Sequence, residues 1–395
     1  MRYQLRVLVC TALFATLPRA LLAADAPAAT PPAPAVPSWS DTLTAWGISV
    51  NGYIAASYYL SNGYPGGYPG VPGPVLQGYD VHQFDVRHDT FQLDEAGIQI
   101  AYQPKQGFGG LVDLIAGEDA RILHEAEDGN DETFDIRQAF IQYATGPLTL
   151  IAGKYVTLAG AEVINPTGNA NFSRSLLFTF AEPLTHTGVR ATWALSDAFS
   201  FIAGVNNGWN TTSTNYGSKT GEVGISWTPN KIFSLGAQSY FGKMEAFDAE
   251  RTLVDVVATI NATSALTVIV NLDWDKQDQV IPTPGGTLGD AKWYGAAVYL
   301  NYGFNDHWRM SLRGEYLKDS DGFLTGTSGS HLAEGTITVG YAPVKSFELR
   351  AELRFDSTDQ PIFLRDPARG AYPNVTPADY NDSLSQIALQ GVYKF

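Results

Sequence analysis

The stretch Ser385-Gln-Ile-Ala-Leu-Gln-Gly-Val-Tyr-Lys-Phe395 decides the fold. Ile387, Leu389, Gly391, Tyr393 and Phe395 share one parity; Gln386, Ala388, Gln390 and Lys394 share the other. A period of two gives a strand with one greasy face and one mostly polar face. The stretch ends on an aromatic residue, so its greasy face is expected to meet lipid. Its free edge is expected to pair with the first strand, as in a closed transmembrane barrel.

The other end of the sequence agrees with export. Arg2 and Arg6 flank an apolar stretch, Val7 to Leu17, followed by small residues around Ala20, Ala23 and Ala24. That order reads as a cleavable signal peptide over 1–24, too short and interrupted for a membrane anchor. Cys10 is the single cysteine, and the bulky Val7, Leu8 and Val9 before it argue against lipid attachment, so neither disulfide nor thiol chemistry is expected. Residues 25–45 read as an Ala/Pro-rich periplasmic linker with a short amphipathic segment, and 46–395 as the barrel. The net charge is -15, which makes nucleic acid a poor partner. Acidic outer loops bridged to lipopolysaccharide by divalent cations would use that charge; a solvated acidic surface is the plainer reading. No segment supplies the roughly 20 apolar residues of a spanning helix.

From Trp46 onward the pattern is strand, turn, strand, long loop. The candidates are 46–60, 90–102, 109–117, 133–145, 147–157, 184–195, 198–208, 219–228, 233–243, 250–260, 265–275, 291–302, 307–318, 332–342, 346–356 and 384–395. Sixteen is an even number, as a single-chain bacterial barrel requires. One set of connections is short, such as Gly146-Pro147 and Ser196-Asp197. The other is mostly long: 61–89, 118–132, 158–183, 209–218, 244–249, 276–290, 319–331 and 357–383. This is the asymmetry of periplasmic turns and extracellular loops. The 244–249 connection is the weak link; without it the count falls to fourteen.

Parity sharpens the reading. Phe347, Leu349, Ala351, Leu353 and Phe355 oppose Glu348, Arg350, Glu352, Arg354 and Asp356, and Trp308, Met310, Leu312 and Tyr316 oppose Arg309, Ser311, Arg313 and Glu315. A soluble sandwich also alternates, but Trp227, Trp274, Trp308 and Tyr393 at strand ends fit the aromatic girdles of a membrane barrel. Asp94, on the parity of Ile98 and Ile100, requires a rim position or a bulge. Lys154, on the parity of Leu148 and Leu150, would be returned to the lumen by a bulge at Gly153.

The segment Asn171-Phe-Ser-Arg-Ser-Leu-Leu-Phe178 followed by Pro183-Leu-Thr-His-Thr-Gly-Val-Arg-Ala-Thr192 resembles the central motif of the OmpL-like beta-barrel porin family. Val50-Asn-Gly-Tyr-Ile-Ala-Ala-Ser-Tyr58 is similar to that family's first strand, as are Gly153-Lys154 and Gly160-Ala-Glu162 to the run before the motif. The resemblance implies a Gram-negative outer-membrane pore and leaves the substrate undefined. In the families that this C-terminus resembles, the final aromatic is read by the barrel assembly machinery, which implies an assembly signal at Tyr393 and Phe395. Resemblance to the general porins implies a homotrimer.

A barrel of about sixteen strands leaves an aqueous channel unless something folds inside. The third long loop, 158–183, is expected to fold inward and carries Glu162, Arg174 and Glu182. Expected pore-lining residues are Arg190, Asp255, Asp273, Arg309, Arg313, Glu315, Glu334, Glu348, Arg350, Glu352 and Arg354; Gln386, Gln390 and Lys394 join them by parity. Stacked arginines facing loop carboxylates would set a transverse field; cross-strand ion pairs stiffening the wall are the alternative. Inward acids outnumber inward bases, which predicts weak cation preference. His186, with Thr185 and Thr187 beside it, has no marked nucleophile or oxyanion hole, so no enzyme is expected. His82 and His88 among Asp80, Asp85 and Asp89 are expected to be an unordered cluster rather than a metal site, and Glu127-Asp-Gly-Asn-Asp-Glu132 lacks the calcium-loop pattern. No cofactor is expected. The reading is a porin for passive diffusion of small hydrophilic solutes. Its competitors are a closed or plugged barrel acting as an adhesin or structural protein through 61–89 and 357–383, and a secreted soluble β-protein.

Overall fold

A computed structural model describes residues 39–64, 82–129, 132–214, 217–243, 249–281, 286–365 and 380–395. The signal-peptide and most of the linker expectations, over 1–38, lie outside the described residues. Helix α1 (Trp39–Ala45) forms within the segment expected to be amphipathic.

The strands are β1 (Ile48–Ser61), β2 (Gly63–Tyr64), β3 (Thr90–Tyr102), β4 (Gly107–Ala116), β5 (Phe134–Thr145) and β6 (Leu148–Val156). There follow β7 (Thr185–Ser196), β8 (Phe199–Asn206), β9 (Thr220–Trp227), β10 (Phe233–Lys243), β11 (Glu250–Asn261) and β12 (Leu266–Val280). The last are β13 (Gly289–Gly303), β14 (Trp308–Asp319), β15 (Ser330–Val344), β16 (Phe347–Thr358), β17 (Phe363–Arg365), β18 (Tyr380–Asn381) and β19 (Ser383–Lys394). Sixteen of them, β1, β3 to β16 and β19, close an antiparallel barrel in which β19 pairs with both β1 and β16. Each sequence candidate corresponds to one barrel strand. The doubtful connection is real: β10 and β11 pair from Lys243↔Glu250 to Phe233↔Ile260. A short sheet, β18-β17-β2, forms among the long connections.

Closure runs from Tyr53↔Lys394 to Ser61↔Gln386. Phe395 N–H donates to the Gly52 carbonyl, and Gly52 N–H donates to the Phe395 carbonyl, each at 2.9 Å. A Cβ at Gly52 would lie 2.3 Å from the Phe395 ring and push it aside.

Parity becomes radial direction. Leu349, Leu353, Phe355, Ile387, Leu389 and Tyr393 are exposed on the outer face, whereas Arg350, Glu352, Arg354, Gln386 and Gln390 are buried inside. Trp227, Trp274, Trp308 and Tyr393 all keep outward exposure, as interfacial anchors do. Lys394, at the rim, is exposed. Asp94 is the extra residue of a bulge: Ala55 pairs with Glu95 and Ala56 with Leu93. It points inward to Ser57 Oγ (2.6 Å) and Gln390 Nε2 (2.8 Å). At Lys154 the ladder stays in register. Gly153 instead takes φ +136°, and the ammonium reaches Glu127 (2.6 Å) and Asp135 (3.0 Å).

Residues 118–128, expected as loop, form helix α2 (Glu118–Asp128). Glu118 and Asp119 occupy the first turn, where the helix dipole favours acids. Ala120, Ile122 and Leu123 pack against Phe84, Ile115, Ile164 and Phe178. So short an apolar face was not legible beside six acidic or basic neighbours.

Candidate permeation site

The connection between β6 and β7 enters the barrel. Its first turn is a 3-10 helix (Pro166–Gly168) capped by Asn165, whose side chain accepts from Thr167 N–H at 2.8 Å. Helix α3 (Leu176–Phe180) follows, with Ser175 Oγ accepting from Phe178 N–H at 3.0 Å. Leu176, Leu177 and Phe180 pack on Trp293, Leu317 and Phe323 of the wall and its loops. Hydrophobic burial thus pulls the loop inward, and polar contacts fix its place.

Those polar contacts are made by the charge-rich interior of β14 to β16. Arg313 donates to Glu162 (2.7 Å), Glu334 (3.0 Å) and the Ser173 carbonyl (2.8 Å). Glu315 accepts from the N–H groups of Leu176 (2.8 Å) and Leu177 (3.3 Å) at the start of α3. Glu352 accepts from Phe172 N–H (2.7 Å) and Ser173 N–H (2.9 Å). Arg354 is held by Asp356 and donates to the Arg174 carbonyl at 2.6 Å. Arg350 reaches the Pro166 carbonyl (3.0 Å), and Arg309 the Ala170 carbonyl (2.7 Å), both also bonded to Glu348. Such charges survive burial because each has several partners. The arginine stack and its carboxylates therefore lie under the loop.

Arg174 turns back into its own loop, donating to the Val163, Phe172 and Ile164 carbonyls. Arg190 pairs with Glu222 and lies 4.2 Å over the Tyr155 ring. His186 is buried, its Nδ1–H donates to the Gly208 carbonyl (3.2 Å), and its ring stacks on Tyr240. These are packing roles.

The β3 to β5 side of the lumen differs. A cavity of about 410 Å³ separates the loop from β3 to β5, lined by Gln99, Asp113, Arg137, Gln138, Glu162 and Thr167. Arg137 pairs with Asp113 (2.8 Å) and Glu95 (2.8 Å). Its inward position comes from a register shift: Asp113 opposes Gln138 and Leu114 opposes Ile136, leaving Arg137 as the extra residue. The sequence reading missed Arg137; its signal was a cation on the parity opposite Phe134 and Ile136.

On a third side, Glu182 comes against Asp255 of β11 and Asp273 of β12, with carboxylate oxygens all within 4.8 Å of one another. Asp275 is buried beside them. Burial first, and then Asp255, Glu162, Asp275 and Glu315, push the Glu182 carboxyl well above the usual carboxylate range. Gly160 takes φ +88°, and a Cβ there would lie 1.8 Å from Glu182 Oε2, so the loop needs glycine to admit that carboxylate.

The histidine–aspartate cluster is not unordered. His82 is buried, with Nδ1 2.7 Å from Asp85 and Nε2 3.1 Å from Asp356; Asp80 lies outside the described residues. In the 127–132 segment, Glu127 lies in the last turn of α2 and pairs with Lys154, and residues 130–131 are outside the described set.

A closed sixteen-stranded barrel with an apolar outer face, a charged interior and a loop folded inside defines an outer-membrane porin. The family match agrees. The chain belongs to the family described as "Putative beta-barrel porin-2, OmpL-like", whose model matches residues 47–384. In fold it is similar to OmpT of Vibrio cholerae, at 12% identity and TM-score 0.57, covering 88% of this chain and 97% of that one. It is likewise similar to an anion-selective porin from Comamonas acidovorans (12% identity, TM-score 0.56, 88% and 99% covered). A third is the trimer form of in-vitro folded Vibrio cholerae OmpT (13% identity, TM-score 0.56, 88% and 99% covered). No curated protein matches the chain by sequence.

Proposed function

We propose that this porin passes small hydrophilic solutes by passive diffusion with weak cation preference. The observation that carries the reading is the cavity between the loop and β3 to β5, whose lining includes Gln99, Asp113, Arg137 and Gln138. The loop packs on β14 to β16, so the solute path is assigned to the side lined by Asp113 and Arg137. Asp255 and Asp273, from the expected pore-lining set, and Glu182, from the loop, lie away from that cavity, on the β11–β12 side. Arg309, Arg313, Glu315, Glu334, Glu348, Arg350, Glu352 and Arg354 set the width of the path by holding the loop; Arg190 stiffens the wall.

Export by a cleavable signal peptide, and recognition of Tyr393 and Phe395 by the barrel assembly machinery, belong to the same reading. So do embedding beside lipopolysaccharide and a homotrimer, the last supported by the trimer form of the Vibrio cholerae barrel. Planar-bilayer recording tests the function: stepwise conductance is expected, with a reversal potential on the cation-selective side in a salt gradient. An anion-selective reversal potential would remove the charge assignment.

One observation favours the plugged-barrel reading, the complete burial of Leu176 and Leu177 inside the barrel. Its binding loops, 61–89 and 357–383, lie largely outside the described residues. A protein that inserts without conducting decides for it.

A further inference from the structure

We propose that Glu182, Asp255 and Asp273 form a divalent-cation site of the calcium class that ties the inward loop to the β11–β12 wall. All three are buried, and their ligand oxygens lie within 4.8 Å of one another. Oxygens that share one Ca²⁺ lie up to about 4.6–5.2 Å apart, so three carboxylates this close can share one hard divalent cation. All the donors are carboxylate oxygens, which suits a hard cation rather than zinc or copper.

The partners of the carboxylates point the same way. Among the described residues, neither oxygen of Glu182 has a hydrogen-bond partner, and Oδ1 is unpartnered on both Asp255 and Asp273. The other oxygens of the pair are held by one amide: Asn271 Nδ2 donates to Asp255 Oδ2 (2.9 Å) and Asp273 Oδ2 (3.3 Å). Asn271 Oδ1 accepts from Ala161 N–H at 2.6 Å, which fixes that amide and holds the loop alongside. This is the outer-shell support by which ligating carboxylates are oriented. Arg251 interacts electrostatically with the neighbouring Asp275, while its Nε donates to Gln277 (2.6 Å). A buried group of like charges needs a cation or protons among them. The oxygens without hydrogen-bond partners are the ones such a cation would take.

The test uses the full-length barrel in detergent, stripped with EDTA and dialysed against ⁴⁵Ca²⁺. Wild type is expected to hold one equivalent more than Glu182→Gln or Asp273→Asn at the same free calcium. Asn271→Ala is expected to weaken that equivalent by about 10–100-fold, as outer-shell losses do. Glu250→Gln removes an exposed carboxylate at the start of β11 and should bind as wild type does. Heat-modifiable migration reports folding; should one variant fail to fold, the other two carry the comparison. Equal binding by wild type and the folded variants would assign the calcium to loops or lipopolysaccharide and overturn the site. So would the absence of binding to wild type, which leaves protons on the carboxylates.

Discussion

Two walls of the same barrel treat buried charge in opposite ways. On β14 to β16, Arg313 is shared by Glu162 and Glu334, and Glu315 and Glu352 are capped by loop N–H groups. On β11 and β12, Asp255, Asp273 and Asp275 retain oxygens without hydrogen-bond partners among the described residues. The first wall is a finished polar network that holds a loop; the second leaves carboxylate oxygens unpartnered among the described residues. Burial alone therefore does not tell a structural charge from a functional one. The count of partners does.

The largest break in this comparison should come from Arg313→Ala. It leaves Glu162, Glu315 and Glu334 buried without their shared cation, and stability should fall by about 3–5 kcal/mol in denaturant unfolding of the folded barrel. Glu315→Gln comes next. It weakens the charge-assisted acceptor for Leu176 and Leu177 N–H by about 1.5–3 kcal/mol, and looser seating of α3 should raise single-channel conductance. Asp275→Asn should act with the opposite sign, stabilising the barrel in EDTA by on the order of 1 kcal/mol and reducing cation preference. A destabilisation there would erase the contrast between the walls.

The smallest effect is a pH slope. Burial and Arg354 oppose protonation of His82, but Asp85 and Asp356 outweigh them and hold its pKa above the ordinary 6.5. A raised histidine pKa stabilises fully below the unfolded value and less as pH rises through the folded one. Denaturant midpoints should fall as pH rises above about 6.5, and His82→Ala should flatten that part of the slope.

Much of this molecule was legible in the sequence. Alternation sustained through β16 and β19 fixed both the strands and the direction of each side chain, because lipid accepts only one face. Asp94 broke the alternation and marked a real bulge. Helix α2 was hidden by its acidic run. The pairing of the walls was hidden for a different reason: parity says that Arg313 and Arg350 point inward, but their loop partners lie far away along the chain. Whether an inward charge ends under the loop, as Arg313 does, or beside the cavity, as Arg137 does, depends on which wall the loop leans against.

That leaning has a consequence for the order of assembly. Glu162 and Arg313 are 151 residues apart, and Phe172 and Glu352 are 180 apart. Contacts of such long sequence separation form late, after the strands that carry them have paired. The nascent barrel should thus pass through a state with its loop undocked and open to proteases. The passage acquires its final calibre only when the last third of the chain is in place.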